Sequence, residues 1–173
     1  MPTPWIVLAA LLAAAPAAAA DKRAPHAHQH GAARLHVSLD GGALQIAFEG
    51  PADNILGFER APTTDARKAT VARADERLKQ PAQLFTTAPA ADCRVQPARV
   101  DMKLPPPGSH ETHSEIEAEW RWDCAQPAAL THVDVGLFKA FPRLKQLRAQ
   151  IVTAQGQKTA VLRPNATRLT IAK

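Results

Sequence analysis

The sequence predicts an α+β fold, in which a single, mainly antiparallel β-sheet domain carries one amphipathic helix and one disulfide. Three observations support this class. Apolar and polar residues alternate in several short runs that glycines or prolines separate, which is typical of half-buried strands. One stretch, 65–79, is instead rich in Ala, Arg and Lys and has helical spacing. The chain has two cysteines, Cys93 and Cys124, the number that one disulfide needs.

The N-terminal segment has the pattern of a secretory signal peptide. Residues 5–14 are apolar and uncharged, and Pro16 with the alanines of 17–20 resembles the small-residue cleavage site. The apolar run is too short for a membrane span of about 20 residues. The first four residues lack Lys and Arg, so the amino group alone supplies positive charge. We therefore predict cleavage of residues 1–20, export to the periplasm and no integral membrane segment after cleavage.

The mature chain divides into an arm and one domain. Residues 21–32 are polar, contain Pro25 and lack a hydrophobic period, which predicts a flexible arm that carries histidines. Residues 33–173 have the length of a single globular domain. The net charge of +5 is modest, and an exported protein meets anionic envelope surfaces more readily than DNA. We expect no nucleic-acid partner.

The first elements of the domain are a β-hairpin and an ordered loop. Gly41-Gly42 separates two alternating runs, and residues 50–62, which contain several prolines and glycines, form the loop. The apolar positions of the hairpin are Leu35, Val37, Leu39, Leu44, Ile46 and Phe48.

A helix is predicted from Asp65 to about Lys79. Thr63 or Thr64 can cap its N-terminus, and Pro81 follows its end. Its apolar face consists of Val71, Ala74 and Leu78.

The second half of the chain is predicted to be mostly strands. Residues 93–104 are extended with an interruption at Pro97, and residues 115–124 show the clearest alternation, which turns Trp120 and Trp122 toward the core beside Cys124. The remaining predictions are a strand with Val133, Val135 and Leu137, a turn or short helix near 141–144, and strands at 147–153 and 159–162 around Gly156.

Cys93 and Cys124 are predicted to form a structural disulfide, because an even pair in an oxidising compartment is most simply a bridge. Closing a loop of about 30 residues stabilises the fold by roughly 3–4 kcal/mol in the chain-entropy model. A redox pair or thiolate zinc ligands would need reduced sulfur, and neither cysteine lies in a Cys-x-x-Cys motif.

Histidines are concentrated in two short polar segments, where neutral imidazole is a good ligand for zinc. Glu111 and Glu115 could complete a four-coordinate site, and imidazole leaves copper, nickel and other divalent metals possible. His36 and His132 fall on polar strand faces and are interpreted as surface residues. The alternative is that both segments are solvated and bind metal only incidentally. The predicted metal ligands are His26, His28, His30, His110, His113 and Glu115.

Catalysis is not indicated. The sequence has no Gly-x-Ser-x-Gly elbow, no His-Glu-x-x-His motif and no phosphate-binding glycine loop. Asp53 and Asp65 could serve as acid or base with His36, but nothing in the sequence brings them together. We expect that the protein is not an enzyme.

Several sequence blocks are spread over nearly all of the mature chain. They are His30-Gly31 with Leu35, Val37, Leu39, Asp40 and Gly41, then Pro51-Ala52-Asp53-Asn54, Gly57-Phe58-Glu59, Ala61-Pro62, Leu84-Phe85, Cys93, the histidine-bearing loop before Ser114-Glu115, Cys124, Leu137-Phe138, Phe141-Pro142, Val152-Thr153 and Gly156-Gln157. These blocks resemble the ZrgA-type periplasmic zinc-uptake family. The resemblance implies a zinc-binding protein that assists a high-affinity ABC-type importer by buffering metal or delivering it near the importer's periplasmic zinc-binding protein. Relatives often carry a longer histidine tract than residues 110–113, so the zinc capacity should be low. Relatives also tend to have His in place of Arg60, so a site that uses that side chain should be missing or altered here.

Two functional hypotheses follow. In the first, the arm at 26–30 and the loop at 110–113 meet on one side of the domain and capture zinc reversibly. In the second, the protein is a non-catalytic envelope protein-interaction module whose histidines are incidental. Removing the arm separates the two hypotheses, because only the first predicts a large loss of metal affinity.

Overall fold

The computed structural model describes residues 30–111 and 113–171. The predicted signal peptide, His26 and His28 lie outside these residues, whereas His30 and the start of the domain lie within them. Within the described part of the chain there are ten strands and four α-helices. The strands are β1 (Ala32–Asp40), β2 (Ala43–Pro51), β3 (Phe85–Thr87), β4 (Cys93–Val95), β5 (Arg99–Lys103), β6 (Glu115–Cys124), β7 (His132–Val135), β8 (Gln146–Thr153), β9 (Gly156–Leu162) and β10 (Arg168–Thr170). The helices are α1 (Ala52–Leu56), α2 (Asp65–Leu78), α3 (Pro81–Leu84) and α4 (Leu137–Ala140).

The main sheet has seven strands, six of which follow one another in the order β4-β6-β2-β1-β8-β9. The seventh strand, β5, pairs with residues 115–119 of β6, whereas β4 pairs with residues 122–124 of the same strand. The predicted hairpin is confirmed, since β1 pairs antiparallel with β2 around Gly41-Gly42. Gly42 is needed there because a Cβ would lie 2.7 Å from the carbonyl oxygen of Cys124. The predicted mainly antiparallel sheet is also confirmed. One pair, β1 with β8, is parallel instead.

The strand predicted around residues 133–137 ends earlier than expected. β7 stops at Val135, and a second, three-stranded antiparallel sheet has the order β10-β7-β3. The bond from the Gly136 N–H to the Leu84 carbonyl, at 2.6 Å, continues the pairing of β7 with β3, but the Gly136 backbone then leaves the extended conformation, with φ −87° and ψ 1°. Leu137 consequently begins α4, so its placement in the strand was wrong. The predicted turn at 141–144 is present, at residues 142–143.

Helix α2 occupies the predicted segment. The Thr64 hydroxyl caps it by accepting the Arg67 N–H at 3.3 Å, which satisfies one of the free amides of the first turn. Ala74 and Leu78 are buried on the inner face of the helix. The other three helices have only four or five residues each, and α1 lies inside the segment predicted as an ordered loop.

The core lies against the inner face of the main sheet. Trp120 and Trp122 are buried as predicted, and the Phe85 ring contacts both, with centroid distances of 4.8 and 5.6 Å. The predicted disulfide joins Cys93 on β4 to Cys124 on β6. No helix among the described residues is both long and apolar enough to cross a membrane.

Candidate metal centre

The end of β2 leads directly into the segment that builds the candidate site. Pro51, the last residue of β2, pairs with Glu115 of β6, and α1 begins at the next residue. Helix α1 ends at Gly57, whose φ of 83° lies in the left-handed region that favours glycine. The Gly57 N–H donates to the Asp53 carbonyl at 2.9 Å, which closes the turn. Residues 52–59 therefore form a short, well-bonded segment at one edge of the sheet.

Asn54 attaches this segment to the start of β1. Its side chain is fully buried. The side-chain oxygen accepts the Gly31 N–H at 2.6 Å, and the side-chain nitrogen donates to the Ala32 carbonyl at 2.8 Å. Both ends of the amide are thus satisfied, as a buried amide requires. These two bonds fix the backbone immediately after His30.

His30 lies between two carboxylates. Its Nδ1 is 3.8 Å from Oδ2 of Asp53, and its Nε2 is 3.6 Å from Oε1 of Glu59. The His30 side chain is 64% exposed, whereas both carboxylate side chains are 14% exposed. Both distances exceed the limit of about 3.2 Å for a good N–H···O bond. The three groups are therefore close neighbours without direct hydrogen bonds.

The two carboxylates differ in their other partners. Arg143 holds Asp53, because its Nη2 lies 3.0 and 3.3 Å from the two carboxylate oxygens and its Nε donates to the Asp53 carbonyl at 3.1 Å. Oε1 of Glu59 is buried and has no hydrogen-bond partner among the described residues. Among the described residues, Asp53 is thus paired with an arginine, whereas the basic side chain next to Glu59 is that of His30.

The second histidine segment, residues 110–113, is followed by a residue that is also bonded to segment 52–59. His110 and His113 are exposed in the connection between β5 and β6. Ser114 is buried, and its hydroxyl donates to the Glu59 carbonyl at 2.7 Å. The Ser114 carbonyl accepts the Ala52 N–H at 2.9 Å. The residue after His113 is therefore bonded to both ends of segment 52–59.

The residues that directly follow the two predicted histidine segments are thus bonded to segment 52–59, Gly31 and Ala32 through Asn54 and Ser114 through the Glu59 carbonyl. Within residues 30–111 and 113–171, however, no group of three or more His, Cys, Asp or Glu side chains is arranged to hold a metal ion. Glu115 is half-buried at the start of β6. The proposed ligation by His26, His28, His30, His110, His113 and Glu115 remains a prediction.

Sequence reasoning gave no role in the metal site to Asp53, Asn54 or Glu59. All three lie in blocks that carried the family resemblance, and all three are acidic or amide residues inside a short turn-rich segment. Their position in this segment is the sequence signal that could have identified them as site residues. The two aspartates considered as acid or base with His36 have other partners in the structure. Asp53 pairs with Arg143, and Asp65 pairs with Lys68 at 3.6 Å.

The fold and this edge of the sheet define a β-rich domain with an imidazole–carboxylate cluster. The family model described as ZrgA family zinc uptake protein matches residues 27–171. The chain therefore belongs to the ZrgA family of zinc uptake proteins, as the sequence resemblance indicated. A comparison with curated proteins found no match.

Proposed function

We propose that the protein binds zinc in the periplasm and assists high-affinity uptake by buffering zinc or delivering it to an ABC-type importer. The family match over residues 27–171 carries this proposal, because it relates the chain to zinc uptake. The donor types at the edge of the sheet support it, since imidazole and carboxylate are both zinc ligands. The partner would be the importer or its periplasmic zinc-binding protein.

The ligands would come from the two histidine segments. His30 lies next to the backbone that Asn54 holds, and His113 lies next to Ser114. Asn54 belongs to segment 52–59 and Ser114 is bonded to it, which supports capture of one ion by the two segments together. His26 and His28 would add donors from the arm, and His110 and Glu115 from the other side.

Reversible binding, not catalysis, is the activity in this proposal. Export through a cleaved signal peptide would place the protein where the importer collects zinc. Because imidazole must be neutral to bind a metal, zinc binding should release protons and weaken as the pH falls below about 6. An affinity that stayed constant between pH 7.5 and 5.5 would contradict histidine ligation.

The test is zinc affinity of the chain from residue 21 to 173, measured by competition with a chromophoric chelator. The variant replaces His26, His28, His30, His110 and His113 by Ala. A matched control replaces His36 and His132, which lie on the strands of the two sheets. Submicromolar binding that the variant loses and the control keeps is expected.

Unchanged binding in the five-histidine variant, or weak binding by the unaltered protein, would overturn the proposal. The envelope protein-interaction module, with incidental histidines, would then be the better hypothesis. A second assay follows zinc transfer from the loaded protein to the importer's periplasmic binding protein. Delivery requires transfer faster than dissociation into a chelator, whereas buffering alone does not.

A further inference from the structure

We infer that Glu59 is a zinc ligand that acts together with His30, and that Asp53 positions the His30 ring. This inference rests on the proposed function, because zinc is the cargo in question. It adds a carboxylate from segment 52–59 to the histidine segments.

The distance between the two donor atoms suits a shared ion. In a tetrahedral zinc site with metal–ligand bonds of about 2.0–2.1 Å, neighbouring donor atoms lie about 3.3 Å apart. His30 Nε2 and Glu59 Oε1 are 3.6 Å apart. This separation is longer than a hydrogen bond and close to the edge of such a tetrahedron. A shift of a few tenths of an ångström would bring both atoms onto one ion.

The environment of Glu59 also favours a cation. A buried carboxylate oxygen without a hydrogen-bond donor is unfavourable, because it has lost its hydration without compensation. Oε1 of Glu59 is in this state among the described residues. The Glu49 carboxylate, in contrast, accepts from Arg34 at 3.0 Å. A zinc ion beside Glu59 would supply the partner that Oε1 lacks among the described residues.

The Asp53 carboxylate suits a different role. Histidines that bind a metal through one ring nitrogen usually donate the other N–H to a carboxylate or carbonyl, which fixes the ring. His30 Nδ1 faces Asp53 at 3.8 Å while Nε2 faces Glu59. Asp53 is itself fixed by Arg143. Asp53 is therefore a positioning residue for the ring that presents Nε2.

His30 and Glu59 supply two ligands of a four-coordinate ion. The other two positions are then available to the remaining histidines of the two segments, as the proposed function requires.

The experiment measures zinc affinity of the 21–173 chain, with zinc as the only metal, for the unaltered protein, Glu59→Gln and Glu49→Gln as the matched control. We expect Glu59→Gln to weaken zinc binding at least tenfold and Glu49→Gln to leave it unchanged. Asp53→Asn should weaken binding by about 10–100-fold, the usual effect of losing a carboxylate that orients a metal-binding histidine.

Thermal unfolding without zinc separates ligation from a simple ion pair. If the Glu59 carboxylate is a zinc ligand without a partner in the zinc-free protein, Glu59→Gln should be at least as stable as the unaltered protein when zinc is absent. The variant should also lose the increase in Tm that zinc produces. A lower Tm without zinc and an unchanged zinc affinity would show an ion pair with His30 and overturn the inference.

The outcomes also separate this inference from the proposed function. Zinc binding by the unaltered protein that survives in Glu59→Gln overturns the role of Glu59 alone. Failure of the unaltered protein to bind zinc overturns both. If Glu59→Gln does not fold, Glu59→Asp retains the charge but withdraws the carboxylate by one methylene. Weaker zinc binding is expected in this variant, and unchanged affinity overturns the inference.

Discussion

Asn54→Ala removes the buried amide that joins segment 52–59 to the start of β1. The Gly31 N–H and the Ala32 carbonyl lose partners at 2.6 and 2.8 Å. A buried polar group left without a partner costs about 1–3 kcal/mol. Gly31 and Ala32 are only half-buried, so water replaces part of the loss, and we expect the free energy of unfolding to fall by about 2–3 kcal/mol. At about 2–4 °C per kcal/mol for a domain of this size, Tm should fall by about 4–12 °C.

Urea unfolding followed by tryptophan fluorescence measures this change. Gln150→Ala is the matched control, because it truncates an exposed amide side chain on β8 and should change stability by less than about 0.5 kcal/mol. Asn54→Asp keeps the acceptor for the Gly31 N–H but places an oxygen against the Ala32 carbonyl, so it should also destabilise. An Asn54→Ala variant within about 0.5 kcal/mol of the unaltered protein would refute the reasoning.

Three further predictions concern other parts of the fold. Replacing Cys93 and Cys124 by Ser opens a link between residues 31 apart, and should lower the free energy of unfolding by about 3–4 kcal/mol in urea titrations; a change below about 1 kcal/mol would contradict it. Trp120→Phe removes a 2.7 Å bond from the indole N–H to the last carbonyl of α2, and should cost about 2 kcal/mol in thermal unfolding, whereas unchanged stability would show that the bond contributes nothing net. The Arg168 hydrogen bond lowers the pKa of Asp134 below its ordinary value of 3.8, so this carboxylate adds stability above that pH and loses it as the pH falls through the folded pKa. Asp134→Asn should therefore lower Tm slightly at pH 7, with a difference that disappears in acid; a difference independent of pH would contradict this linkage.

The strands of the main sheet were predictable where one face is buried. In β1, β2 and β6 the side chains alternate between the core and the outer face, so the sequence repeats every two residues. The cap at Thr64 and the end of α2 were predictable for a similarly local reason, since capping and helix termination depend on neighbouring residues.

Pairing and strand ends were harder to predict. The parallel alignment of β1 with β8 joins residues more than 100 positions apart, and alternation within each strand does not specify its neighbour or direction. β7 ends where the Gly136 backbone leaves the extended conformation, with φ −87° and ψ 1°, and begins α4. Leu137 fitted the alternation, but the backbone turns at Gly136, the residue before it, and alternation does not show such a turn.

The candidate site was predictable only in part, for the same reason. The histidines are visible in the sequence as clusters. Asp53 and Glu59 become candidate site residues only in the folded chain, where Asn54 bonds to residue 31, which is 23 positions away in the sequence. Spacing along the chain cannot reveal that contact. Asp53 and Glu59 lie in the blocks that resemble the family, but the resemblance did not assign a role to either residue.

The anchoring of the two histidine segments bears on how zinc could be released. Ordering a long loop around an ion would cost conformational entropy for each residue fixed. Here the Gly31 N–H and the Ser114 hydroxyl are already bonded to segment 52–59 beside the histidines that precede them. Zinc capture would then order only side chains and a few neighbouring residues. Because these anchors do not involve the ligand atoms, a partner could take the ion without disturbing the sheet or the core.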